Sequence, residues 1–173
     1  MKHILTQIKK FIAYLWTKRS ELQSMDERDM LLAKVVMDIH RKRTHSAFVF
    51  IPLFSLNKIH PINRENSLRQ TQKRIDILLA QKKILLKKQR ISKEELAQHL
   101  PSVSAIKAVQ ENKDSYIAYE GNGRLQALKH VFSPEDNIWI EIEEYFFTNP
   151  SQIIKRMNRV RKLHGLLSDN SRQ

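Results

Sequence analysis

The stretch IWIEIEEYFF, Ile138 to Phe147, puts Ile138, Ile140 and Ile142 toward one side and Trp139, Glu141 and Glu143 toward the other. A period of two marks a strand with one covered face. Such a strand leaves its amides and carbonyls in need of partners, so the chain must supply a sheet. AFVFIPLFSLNKI, Ala47 to Ile59, is rich in β-branched and aromatic residues. It is predicted as one strand, with Pro52 near an edge or a kink. SAIKAVQEN and SYIAYE, joined by the short polar turn Glu111 to Asp114, are predicted as an antiparallel hairpin.

Around these segments the period is helical. Ile4, Leu5, Ile8, Phe11, Ile12, Leu15 and Trp16 form one amphipathic helix, which would pack on the protein or a partner chain, or lie on a membrane surface. SMDERDMLLAKVVMDIHRKR gives a second, with Ser24 or Asp26 as cap, acids at its start and bases at its end. A third runs from about Ser67 to Leu86, with Leu68, Ile75, Leu78 and Leu79 on one side, followed by the basic link LLKKQR. SKEELAQHL opens with a capping box, Ser92 and Glu95, and Pro101 ends it. Leu125, Leu128, Val131 and Phe132 mark a further helix, and SPEDN turns the chain. In the last helix Asn149 is the cap, Pro150 the first residue, and Ile153, Ile154, Met157, Val160 and Leu163 the apolar face. Lys155, Arg156, Arg159, Arg161 and Lys162 cover the rest of that helix, Gly165 stops it, and SDNSRQ is a frayed tail. The expected class is α+β: a small mixed sheet with packed helices. An N-terminal helical extension would span residues 1–44, an α/β core 45–148, and a basic C-terminal helix and tail 149–173.

Hydrophobic residues make up 41% of the chain, enough for a core, and the absence of Cys excludes a disulfide scaffold, a thiolate zinc site and a Cys nucleophile. No His, Asp or Glu grouping has metal-ligand spacing. Glu141, Glu143 and Glu144 would serve a magnesium ion or, as the better use, pair with the lysine-rich helices. The N-terminal apolar stripe is interrupted by Lys9 and Lys10 and lacks a cleavage site, so neither a signal peptide nor a membrane span is expected, and the location is read as cytoplasmic. The net charge of +13 favours a polyanionic partner.

Two of the three Gly residues fall in GNGR, Gly121 to Arg124, between the strand SYIAYE and a helix. A strand turning sharply into a helix exposes amides that lack intrahelical partners, at the positive end of the helix dipole. Gly121 and Gly123 let an anion approach those amides, Asn122 would cap the helix or present its amide to a ligand, and Arg124 offers a fork of donors. GNG is also an ordinary turn sequence, and Arg124 could pair with Glu120.

VFIPLFSLNKIHP, SYIAYEGNGRLQAL and IWIEIEEYFF, taken in that order, resemble the opening strand, phosphate motif and closing strand of the ParB/sulfiredoxin-like superfamily. The hinge matches at Gly121, Arg124, Leu125, Ala127 and Leu128, and the resemblance covers about residues 48–147. It implies a nucleotide-phosphate site at Gly121, Asn122, Gly123 and Arg124, faced by the loop from His60 to Asn66, which includes Arg64. It also implies a nucleoside di- or triphosphate with magnesium as ligand. Sulfiredoxin carries its reactive Cys inside this hinge; Asn122 stands there, which excludes sulfinic acid reduction. Gly123 replaces a usual His or Arg and removes one phosphate contact. Free-serine kinases place an acidic catalytic residue in the first loop, a role that would fall to Glu65, although NRENS is not a close match. About 26 residues follow Phe147, too few for the helix-turn-helix of ParB proteins.

The leading expectation is thus a nucleotide-phosphate-binding module, with residual phosphotransferase or hydrolase activity left open. One alternative is a DNA-associated protein binding phosphates through Pro150 to Lys162 and Lys82 to Arg90. Another is an interaction protein, such as a homodimer formed through the N-terminal helices.

Overall fold

The computed structural model describes residues 27–100 and 105–167. The amphipathic stretch Ile4 to Trp16, the caps Ser24 and Asp26, the stop at Pro101 and the tail after residue 167 lie outside the described residues. Helix α1 (Glu27–Lys42) runs directly into strand β1 (Arg43–Pro52). Glu27 and Asp29 sit in its first turn and His40, Arg41 and Lys42 in its last, as the dipole favours.

The apolar run predicted as one strand is two. Pro52 is the last residue of β1, opposite Trp139. It lacks an N–H and has φ fixed at −58°, so the ladder ends there. A single 3-10 turn, Leu53–Ser55, carries the chain to β2 (Leu56–Lys58). β1 pairs antiparallel with the last strand, whereas β2 pairs parallel with the strand Ser115–Glu120. The proline thus moves the chain from one end of the sheet to the other.

After the loop come α2 (Glu65–Lys88), β3 (Arg90–Ile91) and α3 (Lys93–His99). The basic link is mostly helix: α2 continues to Lys88 and closes at Gln89, in the left-handed region with φ 57°. On α2, Thr71, Ile75, Leu78 and Leu85 are buried, while Leu68 in the first turn and Leu79, one step round from Leu78, are 45% and 54% exposed. The expected capping box opens α3, with Glu95 N donating to Ser92 Oγ and Ser92 N to Glu95 Oε2, both at 3.2 Å.

The hairpin β4 (Lys107–Asn112) and β5 (Ser115–Glu120) leads into α4 (Asn122–Val131), a short 3-10 turn at Pro134–Asp136, β6 (Trp139–Phe147) and α5 (Pro150–Leu163). The sheet order is β1-β6-β4-β5-β2, with β3 also on β6. β1/β6 and β4/β5 are antiparallel and β2/β5, β3/β6 and β4/β6 are parallel, so the sheet is mixed and the chain is α+β.

Alternate strand residues feed two cores, as the period of two requires. Ala118, Ile140 and Ile142 join Ile75, Leu78, Leu96, Leu125 and Leu128 in a cluster shared with α2, α3 and α4. Ile117, Tyr119 and Tyr145 join Val35, Ile39, Ile153, Met157 and Val160 in a second cluster, shared with α1 and α5. On β6 Glu144 keeps the buried parity of Ile140 and Ile142, and Tyr145, of the other parity, is buried because it belongs to the second cluster. Asp38, 7% exposed, pins α1 to α5 by accepting from Arg156 while also pairing with Arg41. Asn149 caps α5, accepting from Gln152 N at 3.4 Å, and Gly165 follows its end at φ 69°.

Candidate anion cradle at the corner between β5 and α4

Gly121 is the N-cap of α4, with φ 88°. In this left-handed conformation an L side chain is strained, and a Cβ would also lie 2.9 Å from Ile106 Cγ1 and 3.2 Å from Ile106 Cα. Gly123 has an ordinary backbone, but a Cβ there would lie 2.9 Å from Arg74 Nη1 and 3.2 Å from Thr71 Oγ1. The first glycine is required by the turn and the second by close approach of α2. The absence of side chains at both glycines lets Arg124 Nη2 and Arg74 Nη1 lie close against the main chain of the corner.

Asn122 does not cap the helix. Gly121 holds that position, and Asn122 is the first helical residue, 5% exposed. Its Oδ1 accepts from Ile59 N at 3.2 Å and its Nδ2 lies 3.4 Å from His60 Nε2. His60 Nδ1 is 2.8 Å from Pro61 O. A single tautomer satisfies both contacts: the proton sits on Nδ1 and is donated to Pro61 O, and Nε2 accepts from Asn122. Asn122 therefore ties the loop after β2 to the corner, and its amide is committed to that loop.

Arg124 lies on the first turn of α4, 4% exposed. Among the described residues no side chain hydrogen-bonds or ion-pairs with it, and the same holds for Arg74. Burial chiefly, and then the charge of Arg74, pull the Arg124 pKa down to about 10, against a smaller opposing effect of Glu120. Glu120 is engaged by Lys107 at 2.9 Å. Two cations thus face each other in a poorly hydrated corner with no carboxylate bridging them. A polyvalent anion is the species that would relieve this repulsion.

The corner opens on a cavity of about 300 Å³, lined by His60, Arg74, Glu120, Gly121, Gly123 and Arg124 among others. That is the small end of ligand clefts, of order 300–1,000 Å³; it suits phosphate groups more than a whole nucleoside triphosphate. Of the residues singled out in the sequence, the structure brings together His60, Gly121, Asn122, Gly123 and Arg124. Glu65 is not there: its side chain is 85% exposed and lies 3.5 Å from Arg69. Arg64 is turned to Asp29, at 2.8 Å. Arg74 was not foreseen. Its one signal is its place on α2, three residues from Thr71 and beside Ile75, on the helix's buried side.

The basic stretches are partly spoken for. Arg156 pairs with Asp38, and Arg161, 7% exposed, lies 3.2 Å from Glu111. Lys88 pairs with Glu95, and Arg90 sits over the rings of Phe50 and Trp139. Glu141 accepts from Lys93 N at 2.9 Å and Glu143 from Ser46 Oγ at 2.8 Å. Among the described residues no three His, Asp or Glu side chains come together to hold a metal ion, and no helix is long and apolar enough to cross a membrane. No family model, no curated protein and no solved structure matches the chain.

Proposed function

We propose that this chain binds the phosphate groups of a nucleotide at the β5–α4 corner, as its resemblance to the ParB/sulfiredoxin-like superfamily implies. The observation that carries the reading is that Arg74 and Arg124, neither of them ion-paired among the described residues, line one cavity with the Gly121–Arg124 corner. Helix amides supply directed donors, and the two guanidinium groups supply charge in a site where water screens little. The reading is one of binding. Glu65 stands outside the cavity, so the phosphotransferase alternative has no base in the role assigned to it.

The test is thermal unfolding of the full chain with CTP, ATP or ADP, with and without magnesium. A ligand at a hundred times its Kd stabilises by about 2.7 kcal/mol, a rise of roughly 5–11 °C for a chain of this size. Arg74→Ala and Arg124→Lys should each reduce that rise. No rise with any of these nucleotides at millimolar concentration refutes the reading.

A DNA-backbone reading draws on the charge of +13 and on Lys83, Lys87, Lys155 and Arg159, which are exposed. It requires affinity for duplex DNA that falls steeply between low and moderate salt. Salt-insensitive binding, or none at low salt, excludes it.

A further inference from the structure

A second cavity, of about 520 Å³, lies where β4 and β6 part. Residues 109–113 and 144–147 line it without a break. Side chains of both strand faces therefore border it, and the opening lies between the two strand edges. Pro150 and Ile154 of α5 close it on the side of the second cluster. No residue lines both this cavity and the cradle.

The parallel ladder between β4 and β6 has two rungs, Lys107 with Glu143 and Ala108 with Glu144. Glu143 N donates to Ile106 O at 2.9 Å, so the main-chain groups of Glu143 point to β4. By alternation those of Tyr145 do too, whereas Phe146 O turns to β1, where Thr44 Oγ1 donates to it at 3.0 Å. The next rung would join Val109 to Tyr145 through a bond from Gln110 N to Tyr145 O, and it is absent. Among the described residues no turn, loop or side-chain bond takes its place. The cause lies in β4. Glu111 is the extra residue of a bulge between Gln110 and Asn112, and a bulge bends its strand. Asn158 and Arg161 of α5 hold that bend, donating to Glu111 Oε1 at 2.8 and 3.2 Å. The two edges are thus held apart with a donor on one and an acceptor on the other. Leaving such groups unmatched beside apolar walls is costly, and an extended main chain supplies both partners at once. Its side chains would alternate. Val109, Tyr145, Phe147 and Ile154, all of the second cluster, favour apolar residues on one side, and the exposed Gln110 and Asn112 favour polar ones on the other.

We propose that this cleft binds an extended peptide segment of a partner protein, alternating apolar with polar residues. Its main chain pairs with Gln110 and Tyr145, and its apolar side chains lie against Phe147 and Ile154. The probe is acetyl-Thr-Val-Thr-Val-Thr-amide, with the same peptide N-methylated at its interior residues as the counterpart without donors. Each is titrated into the ¹⁵N-labelled full chain, and the amides of residues 109–113 and 144–147 are followed. The unmodified peptide should shift them and bind roughly tenfold or more tightly than its N-methylated form, the size of two ordinary hydrogen bonds. Gln110→Pro, which removes an N–H that makes no rung, should keep the fold and lose the binding. Equal binding of the two peptides, shifts confined to other residues, or no binding at millimolar concentration overturns the proposal. So does a Gln110 amide already protected from exchange without peptide, or shifts that follow protein concentration alone, since the chain itself or a second copy would then fill the cleft. The wild-type comparison decides the matter even if the variant fails to fold.

Discussion

Replacing Gly123 by Ala should separate binding from folding at the cradle. Gly123 is the second residue of α4, and its backbone is not left-handed. In a helix interior Ala is favoured over Gly by about 1 kcal/mol, and by less in a first turn. Against this stands the new Cβ. Its 2.9 Å approach to Arg74 Nη1 meets the far end of a flexible side chain, which can rotate away. Its 3.2 Å approach to Thr71 Oγ1 meets a buried hydroxyl that donates to Ser67 O at 2.8 Å, which must give by a few tenths of an ångström. The two effects nearly cancel, so the unliganded stability should change by no more than about 1 kcal/mol, or roughly 2–4 °C in Tm. Binding has no such compensation. The methyl group covers the helix amides and displaces Arg74, removing at least two charge-assisted hydrogen bonds at about 1.5–3 kcal/mol each. Affinity should fall by roughly a hundredfold or more.

The assay is unfolding of wild type and variant, with and without CTP or ATP and magnesium. Gly123→Ala should keep its basal Tm and lose the nucleotide-induced rise. Gly121→Ala is the contrast. It places a side chain at φ 88°, about 1–2 kcal/mol unfavourable, and against the backbone of Ile106 as well as its side chain. Its basal Tm should fall by roughly 4–8 °C. A Gly123→Ala protein that retains the full nucleotide-induced rise refutes the cradle, and a Gly121→Ala protein of wild-type stability refutes the account of the turn.

Arg74→Ala should leave the unliganded Tm unchanged or raised, because the charge that depresses Arg124 is gone, while abolishing the nucleotide-induced rise; a drop in basal Tm without ligand would show Arg74 to be structural. Glu144 holds its proton more tightly folded than unfolded, so its contribution is complete below the ordinary value of 4.5 and is lost as pH rises through the raised one. Urea unfolding should therefore show Glu144→Gln gaining on the wild type above that window and not below it. Glu111→Ala leaves Arg161 buried beside Asn158 without its carboxylate and should cost about 3 kcal/mol, measured as a lower urea midpoint, whereas a double change to apolar residues at 111 and 161 should recover most of it.

The elements that were legible in the sequence are those set by neighbours along the chain. The capping box at Ser92, the cap at Asn149 with Pro150 behind it, the hairpin and the alternation from Ile138 to Ile142 all depend on residues within four positions of each other. What was hidden depends on contacts between distant segments. Pro52 announced a kink but not that the two halves of its run would join opposite ends of the sheet. Leu68 and Leu79 fit the helical stripe of α2, yet the elements packed on that helix, α4 foremost, cover a narrower face than the stripe suggests. Arg156 and Arg161 counted as free positive charge until α1 and β4 brought Asp38 and Glu111 to them. At the corner itself, the glycines could be read, but the partner of Gly123 is Arg74, on α2, and the partner of Asn122 is the loop at Ile59 and His60.

Arg74 and Arg124 bring stability and binding into opposition. Several of the buried or half-buried cations among the described residues have a carboxylate beside them: Lys107 has Glu120, Arg156 has Asp38 and Arg161 has Glu111. The folding of a basic chain favours such pairings because each lowers the cost of bringing like charges together. Arg74 and Arg124 depart from that pattern, as Lys58 and Lys129 also do, and burial and mutual repulsion both act against Arg124. Strain of this kind persists where surrounding structure over-determines it, and the surroundings here are rigid: Gly121 fixed by Ile106, Asn122 fixed by the loop, Gly123 packed on Thr71. If the corner were only a turn, a carboxylate within reach of either arginine would stabilise the fold without loss. Introducing one is thus a sharp test: Arg74→Glu, which puts a carboxylate in place of the repelling cation, should raise the unliganded Tm by pairing with Arg124 and, by occupying its donors, suppress the nucleotide response. Stabilisation with the response intact would mean that the arginines do not face the ligand.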